Sequence, residues 1–189
     1  MKLFHGTSLS KAKKIHNEMR LRGSGVPKNY ENISKFEYKG KEIDSNTTDG
    51  YVYLGNFIWG LEFGNIAACS EKNEDFVVFE IDVPDELLEA DLDQIKHVRD
   101  YWQEEIDAAD ENNITAAESF EFCQCVRVKG DMLLNDYKTK YAVVKSTYHS
   151  GNKTAKLLFL KWSDDPGDIK VIQDFKELLE WKSVSLSTF

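Results

Sequence analysis

The chain has 189 residues, of which 41% are hydrophobic, 30% are charged and 12% are aromatic. This length suits one globular domain with a real core, and the ordinary proline and glycine counts exclude a low-complexity chain. No run of about 18 apolar residues predicts a membrane span, and the N-terminus turns polar too early for a secretory signal. Three cysteines do not make a disulfide framework. We therefore expect a soluble, cytoplasmic protein.

The formal net charge of −9 hides a strong asymmetry along the chain. Residues 1–43 sum to +6, whereas residues 71–121 sum to −15. An acidic total argues against a general polyanion binder, because affinity for phosphates depends on lysine and arginine. Such charge blocks are most often solvated faces, and the alternative is a basic N-terminal end that meets an anion.

In the first half of the chain, hydrophobic periodicity and capping residues predict alternating strands and helices. A strand at residues 2–7 precedes a helix to about Met19, capped by Ser8 or Ser10. Residues 20–50 form a long polar connection, which is typical of a functional lid. A short strand at residues 51–54 then leads into a helix from Asn56 to about Cys69.

The second half is predicted to contain more strands than helices. Residues 76–83 form a strand that stops at Pro84, and further strands are expected at Phe120 to Val128 and Lys156 to Trp162. The acidic stretch 85–118 is predicted to be helical around 97–109 and loop-like around 110–115. A last amphipathic helix covers about 169–181. We therefore expect a single α+β domain over residues 1–189, with an acidic insertion at about 85–118 and a C-terminal extension at about 131–189.

Most familiar catalytic motifs are absent from the sequence. There is no GxGxxG, no GxxxxGK[ST], no HExxH, no paired CxxC and no GxSxG. Cys123 and Cys125 alternate along one predicted strand, where two cysteines are more often small core residues than zinc ligands. We predict that the protein binds no metal.

Three segments in chain order give the most specific signal. Residues 3–7 (LFHGT) precede the first helix, residues 50–55 (GYVYLG) precede the second, and Glu121 begins an apolar segment. This order and spacing resembles the H-Y-E class of ADP-ribosyltransferases, which includes poly(ADP-ribose) polymerases and diphtheria-like toxins. The resemblance covers about a fifth of the chain. Within this class, the chain resembles the small stand-alone bacterial or phage members.

The resemblance implies an α+β fold in which split antiparallel β-sheets surround an NAD cleft and are flanked by helices. It implies His5, Tyr53 and Glu121 as the catalytic residues, with Tyr51 as the competing register for the tyrosine. On a strand, Glu121 would share a face with the two cysteines, where a carboxylate is costly to bury unless it serves a cleft. A carboxylate there would stabilise the positive charge that develops on the ribose as the nicotinamide bond breaks.

The resemblance also implies a set of residues that bind the cofactor. The Gly6 backbone would approach the carboxamide because glycine lacks a side chain. A second aromatic residue, Phe63 or its alternative Trp59, would stack on the nicotinamide ring with the tyrosine. The basic N-terminal end would meet the pyrophosphate. The implied cofactor-binding residues are His5, Gly6, Thr7, Tyr53, Phe63 and Arg20.

The function implied by the resemblance is an NAD-dependent mono-ADP-ribosyltransferase that modifies a macromolecule, as a toxin, effector or defence factor. A protein acceptor is slightly favoured, while RNA or DNA stays possible because aromatic and basic residues alternate over residues 28–39. One alternative is a tRNA 2′-phosphotransferase-like enzyme, which needs more arginines than the four present. The other alternative is a non-catalytic binding protein whose acidic surface meets a basic partner.

Overall fold

The computed structural model describes residues 1–25, 35–38, 41–44, 48–71, 73–95, 113–150, 152–161 and 163–184. The chain divides into two compact units, each built from separate stretches of sequence. The first unit contains Met1–Leu21, Leu54–Val83 and Leu133–Phe189, and the second contains Arg22–Tyr53 and Pro84–Met132. The structure is α+β, with a mostly antiparallel sheet flanked by helices, which confirms the predicted class.

The described residues form short strands and helices that are numbered in chain order. The strands are β1 Lys2–Ser8, β2 Arg20–Leu21, β3 Lys35–Tyr38, β4 Lys41–Asp44, β5 Tyr51–Gly55, β6 Phe76–Asp82, β7 Leu88–Ala90, β8 Cys125–Lys129, β9 Met132–Leu133, β10 Lys138–Val144 and β11 Lys182–Ser183. The helices are α1 Leu9–Glu18, α2 Phe57–Glu71, α3 Ala116–Cys123, α4 Thr147–Ser150, α5 Asn152–Phe159 and α6 Pro166–Leu178. Single 3₁₀ turns cover Asp85–Leu87 and Leu134–Asp136.

In the first unit, strands lie in the order β11-β10-β6-β1-β5. β6 is the centre of this arrangement, because it pairs antiparallel with β1 and with β10 along their whole lengths. β1 also pairs antiparallel with β5, with Phe4 opposite Gly55. The six residues of β6 from Phe76 to Ile81 are all buried, as expected for a strand with neighbours on both edges and covered faces.

Helix α2 packs so closely against β1 that their backbones are in contact at Gly6. A Cβ atom on Gly6 would lie 1.8 Å from the carbonyl oxygen of Gly60 and 2.6 Å from the amide nitrogen of Gly64. No side chain fits at such distances, so these positions need glycine for close packing. The helix begins at the predicted place, since the Asn56 side chain accepts the N–H of Trp59 at 3.1 Å.

The core of the first unit lies between this helix and the sheet. Its buried aromatic residues include Phe4, Phe57 and Phe76, and the rings of Phe4 and Phe57 meet edge to face at 5.4 Å. Helix α6 closes the core with half-buried Phe175, and Trp181 follows it at 6.3 Å from Phe4. The predicted amphipathic helix at 169–181 is therefore confirmed, three residues earlier than expected.

An ion-pair network holds the start of β6 to α4 within the first unit. The Asp75 carboxylate lies 2.7 Å from Lys145 Nζ and 2.8 Å from His149 Nδ1, and it accepts the N–H of Ser146 at 3.3 Å. Burial opposes the charge, but these three hydrogen bonds outweigh it and lower the pKa of the Asp75 carboxyl.

The second unit contains two described antiparallel pairs, β3 with β4 and β7 with β8. β8 lies between β7 and β5, so Tyr51–Tyr53 of β5 forms the strand next to it. Residues 92–95 continue from β7 as a short helical segment. Helix α3 begins with a capping box, in which the Thr115 side chain accepts from the Glu118 N–H and Glu118 accepts from the Thr115 N–H.

Several predicted elements are confirmed because local signals agree with the packing. These are the strands at 2–7, 51–54 and 76–83 and the helices that follow the first two, with Ser8 rather than Ser10 as the N-cap of α1. Two predicted strands are wrong. Residues 116–123 are helical, so the strand starts only at Cys125, and residues 152–159 form α5 where a strand at 156–162 was expected. The predicted helix at 97–109 lies outside the described residues.

Candidate functional site

Strand β5 presents its two tyrosines on one face. Val52 and Leu54 are buried, whereas Tyr51 and Tyr53 are half-buried. Because side chains alternate along a strand, Tyr51 and Tyr53 point to one side, and Val52 and Leu54 point to the other. Both registers of the predicted tyrosine therefore lead to the same face of the strand.

The Tyr53 hydroxyl is held by an acid from the short helical segment after β7. It donates to the Asp93 carboxylate, and the carbonyl oxygen of Thr48 lies 3.0 Å from the same hydroxyl. Burial, the hydrogen bond to Asp93 and the nearby carboxylates raise the pKa of Tyr53 well above its usual value. The hydroxyl therefore stays protonated and acts as a hydrogen-bond donor at neutral pH.

Asp93 is a carboxylate with several donors around it. Besides Tyr53, it accepts from the backbone N–H and the hydroxyl of Thr48, each at 2.9 Å. Its side chain is only 23% exposed, and Arg127 NH1 lies 3.6 Å from one of its oxygens. Asp93 thereby links the segment before β5, β5 itself and β8 within the second unit.

Arg127 lies in the middle of β8 with only 7% of its surface exposed. Its guanidinium group covers the ring of Tyr51, with the central carbon 3.9 Å from the ring centroid. Asp93 is its ion-pair partner, and Nε has no hydrogen-bond partner among the described residues. The sequence signal for this site is a positive charge within an apolar strand, which none of the motifs considered above contains.

A second acid, Asp91, is buried beside this group at 3% exposure. Its backbone N–H donates to the Ser119 hydroxyl at 3.0 Å, and its carboxylate accepts the N–H of Gln94 at 2.9 Å. The Ser119 hydroxyl in turn donates to the carbonyl oxygen of Cys125 at 2.7 Å. Burial raises the pKa of the Asp91 carboxyl to about 7, with a further contribution from the charge of Asp93.

Glu121 lies elsewhere than its predicted strand. It is an exposed residue on α3, and only Cys123 and Cys125 of the proposed strand face are buried. Gln124 ends the helix in the left-handed conformation, with φ of 58°, so the apolar run changes from helix to strand at that point. The prediction that Glu121 shares a strand face with Cys123 and Cys125 is therefore wrong, because helical geometry separates its side chain from those of the cysteines.

The predicted N-terminal residues belong to the first unit. His5 is half-buried on β1, while Gly6 and Thr7 are buried there. The missing side chain of Gly6 is explained by its contact with α2, a packing reason that differs from the predicted approach to a carboxamide. Arg20 is exposed on β2.

The two alternative aromatic residues on α2 stack on each other. The rings of Trp59 and Phe63 lie 5.3 Å apart and 19° from parallel. Lys161 Nζ lies 4.8 Å from the Trp59 ring and forms an ion pair with Glu62 at 2.7 Å. Phe63 is half-buried and Trp59 is buried, so Phe63 is the more accessible member of this pair.

The described residues contain no group of three or more histidine, cysteine, aspartate or glutamate side chains that could hold a metal ion. Within the same residues, no helix has both the length and the apolar character needed to cross a membrane. No protein-family model, no curated protein and no solved structure matches the chain.

Proposed function

We propose that the protein is an NAD-dependent mono-ADP-ribosyltransferase that transfers ADP-ribose to a macromolecule. The observation that carries the proposal is the order of His5-Gly6-Thr7, Tyr53 and an acid ahead of an apolar strand. Two features of the fold support it: the α+β class with a mostly antiparallel sheet, and the antiparallel pairing of β1 with β5. The expected arrangement of split sheets around an NAD cleft belongs to this proposal.

The chemistry needs a carboxylate near the ribose and donors that orient the dinucleotide. In the proposed reaction the bond between nicotinamide and the ribose carbon breaks, and an acceptor nucleophile takes the ADP-ribosyl group while losing a proton. A fixed carboxylate stabilises the oxocarbenium-like charge of the transition state. Tyr53 suits a positioning role, because its protonated hydroxyl donates to the Asp93 carboxylate and holds that acid in place. His5 is assigned the hydrogen bond to a ribose hydroxyl, and NAD is the only co-substrate required.

Two acids compete for the catalytic carboxylate. Glu121 is the acid that the sequence resemblance implies, and it is exposed on α3. Asp93 is the acid that contacts the Tyr53 hydroxyl, and its carboxylate is fixed by Thr48. We keep both in the proposal, since their single substitutions give opposite outcomes for the two assignments.

The test is incubation of the protein with NAD labelled in the adenylate part and a cell lysate, followed by separate protease and nuclease digestion. We expect label on a macromolecule and release of free nicotinamide. Label removed by protease identifies a protein acceptor, and label removed by nuclease identifies RNA or DNA. The absence of both label and nicotinamide release would contradict the proposal.

Variants of the two acids assign the carboxylate in the same assay. If Glu121 acts on the ribose, Glu121→Gln lowers transfer by at least about a hundredfold, in line with loss of one charge-stabilising group. If Asp93 acts instead, Asp93→Asn gives that loss and Glu121→Gln does not. Glu86→Gln, at another exposed acid of the second unit, is the matched control and should retain full activity.

A non-catalytic binding protein is the second candidate, because α3 exposes acids next to an aromatic ring. Glu118 and Glu121 are exposed, and Phe122 is 41% exposed beside them. A basic partner would neutralise the acids and cover the ring, so its binding should weaken as salt increases. In this case Glu121→Gln weakens binding of a polylysine peptide, while NAD is not consumed.

A further inference from the structure

The Arg127 guanidinium is buried with much of its hydrogen-bonding capacity unused by the described residues. Arginine carries five N–H donors, and Nε of Arg127 has no hydrogen-bond partner within the described part of the chain. Its nearest carboxylate oxygen, on Asp93, lies 3.6 Å from NH1, which is longer than an N–H···O hydrogen bond of about 2.7–3.2 Å. A buried cation in this state is costly, since neither full hydration nor a bidentate carboxylate compensates its charge.

Asp93 is held in front of Arg127 by other groups. Its carboxylate accepts from the N–H and hydroxyl of Thr48 and from the hydroxyl of Tyr53. These three donors hold the carboxylate by hydrogen bonds, and Arg127 contributes its charge at 3.6 Å. Asp93 therefore provides a negative charge near the guanidinium but leaves its planar set of donors unpaired.

Tyr51 completes the surroundings by covering one face of the guanidinium at 3.9 Å. This contact places the guanidinium carbon over a ring face, which stabilises the cation without using any of its N–H donors. A phosphate group accepts two parallel N–H bonds from the edge of a guanidinium.

We propose that Arg127 is the binding residue for a phosphate or diphosphate group of a nucleotide. In the absence of the ligand, the Asp93 carboxylate occupies the position of the phosphate, and the ligand displaces it on binding. The choice of a nucleotide diphosphate rests on the proposed function, because NAD contains one. The proposal assigns the pyrophosphate to β8 instead of the basic N-terminal end. Since Arg127 is 7% exposed, the Asp93 segment at residues 92–95 has to move for the ligand to enter.

The other titratable groups around this site are compatible with an anion. The Tyr53 hydroxyl keeps its proton, because burial and the nearby carboxylates raise its pKa. Burial raises the pKa of Asp91 to about 7, so below that pH it is mostly uncharged and does not repel a phosphate. Glu89 faces Arg127 across the β7–β8 pair but is exposed, whereas Asp93 is the described acid within 4 Å of the guanidinium, which is the basis of the variant test.

The experiment is isothermal titration calorimetry of the full chain at pH 6 and low salt, with inorganic pyrophosphate and ADP-ribose as separate ligands. The variants are Arg127→Lys, Asp93→Asn and the control Lys138→Arg, which exchanges the same two residue types at an exposed position of β10. We expect Arg127→Lys to weaken binding by about tenfold or more, because lysine lacks the planar pair of donors. Lys138→Arg should change binding by less than about twofold, because it keeps the charge at an exposed position.

Asp93→Asn is the decisive variant because it is expected to tighten binding, a gain that misfolding does not produce. We expect an increase in affinity of about threefold to tenfold as one opposing charge is removed. Unchanged or weaker binding in this variant would overturn the role of Asp93. Equal affinity of wild type and Arg127→Lys, or a larger loss in Lys138→Arg, would overturn the site at Arg127.

The ligands and a second readout separate this proposal from the proposed function. Tighter binding of ADP-ribose than of pyrophosphate supports the nucleotide, whereas the reverse order supports a free diphosphate at the same residue. Binding through Arg127 without nicotinamide release from NAD leaves the site standing and contradicts the transferase. Nicotinamide release with no effect of Arg127→Lys on ligand binding contradicts the site and leaves the transferase standing.

Discussion

Replacing Asp91 by asparagine is expected to make the protein more stable relative to wild type as pH rises from 5 to 8. The Asp91 side chain is buried, and its carboxyl has a pKa of about 7 against an ordinary value of 3.8. Between these two values the folded protein keeps a proton that the unfolded chain has released. The folding free energy of wild type therefore becomes less favourable as pH rises through this range.

The size of the effect follows from the two pKa values. Each unit of difference corresponds to about 1.4 kcal/mol, and the full effect of about three units is about 4 kcal/mol. Part of that change lies below pH 5, so the difference between pH 5 and pH 8 comes to about 2–3 kcal/mol. Asparagine does not titrate, and its side-chain oxygen can still accept the Gln94 N–H that Asp91 accepts at 2.9 Å.

The assay is urea unfolding of wild type and Asp91→Asn at pH 5, 6, 7 and 8, followed by circular dichroism. Asp85→Asn is the control, because it removes a carboxylate from an exposed position in the same unit. A constant difference between wild type and Asp91→Asn across this range would refute the reasoning. An identical pH profile for Asp85→Asn would attribute the effect to net charge and not to burial.

Three further predictions concern the local structure. Gly6→Ala is expected to prevent folding, because its Cβ would meet the Gly60 backbone at 1.8 Å. Gly25→Ala has open space around the added Cβ but a φ of +66°, so thermal melts should show a loss of stability of about 1–2 kcal/mol. Thr115→Ala removes the capping box of α3 and should lower stability by about 1 kcal/mol in urea unfolding, with no change in the far-ultraviolet spectrum. Asp75→Asn should destabilise the protein at pH 7. The difference in unfolding free energy from wild type should shrink as pH falls below 4, because the pKa of Asp75 is lowered in the folded protein and its stabilising charge is lost on acidification. A difference that grows with acid would contradict this.

Local signals in the sequence were enough to predict the elements around the first unit's sheet. The strand that contains His5 ends where Ser8 caps the next helix, and the strand that contains Tyr53 ends where Asn56 caps α2. In both places the side chain that starts the helix also stops the strand. Such signals depend on residues a few positions apart, so they survive in the folded protein.

Local signals are ambiguous where a short apolar run fits either a strand or a helix. Residues 120–128 were predicted as one strand, yet the Thr115-x-x-Glu118 capping box starts a helix that ends at Gln124. The capping box was present in the sequence and is the signal that identifies this helix. Because the helix changes the direction of Glu121, the prediction of its surroundings failed together with the secondary structure.

By itself the sequence determined the α+β class, the caps of the first two helices and the common face of Tyr51 and Tyr53, since each depends on near neighbours. Only the tertiary structure decided which acids and cations meet these tyrosines. Asp93 is 40 residues from Tyr53, and Arg127 reaches Tyr51 from another strand. Contacts at such separation depend on strand order and register, which local propensity does not encode. Burial then determines the charge state of Asp91, because a carboxyl releases its proton less readily where water is excluded.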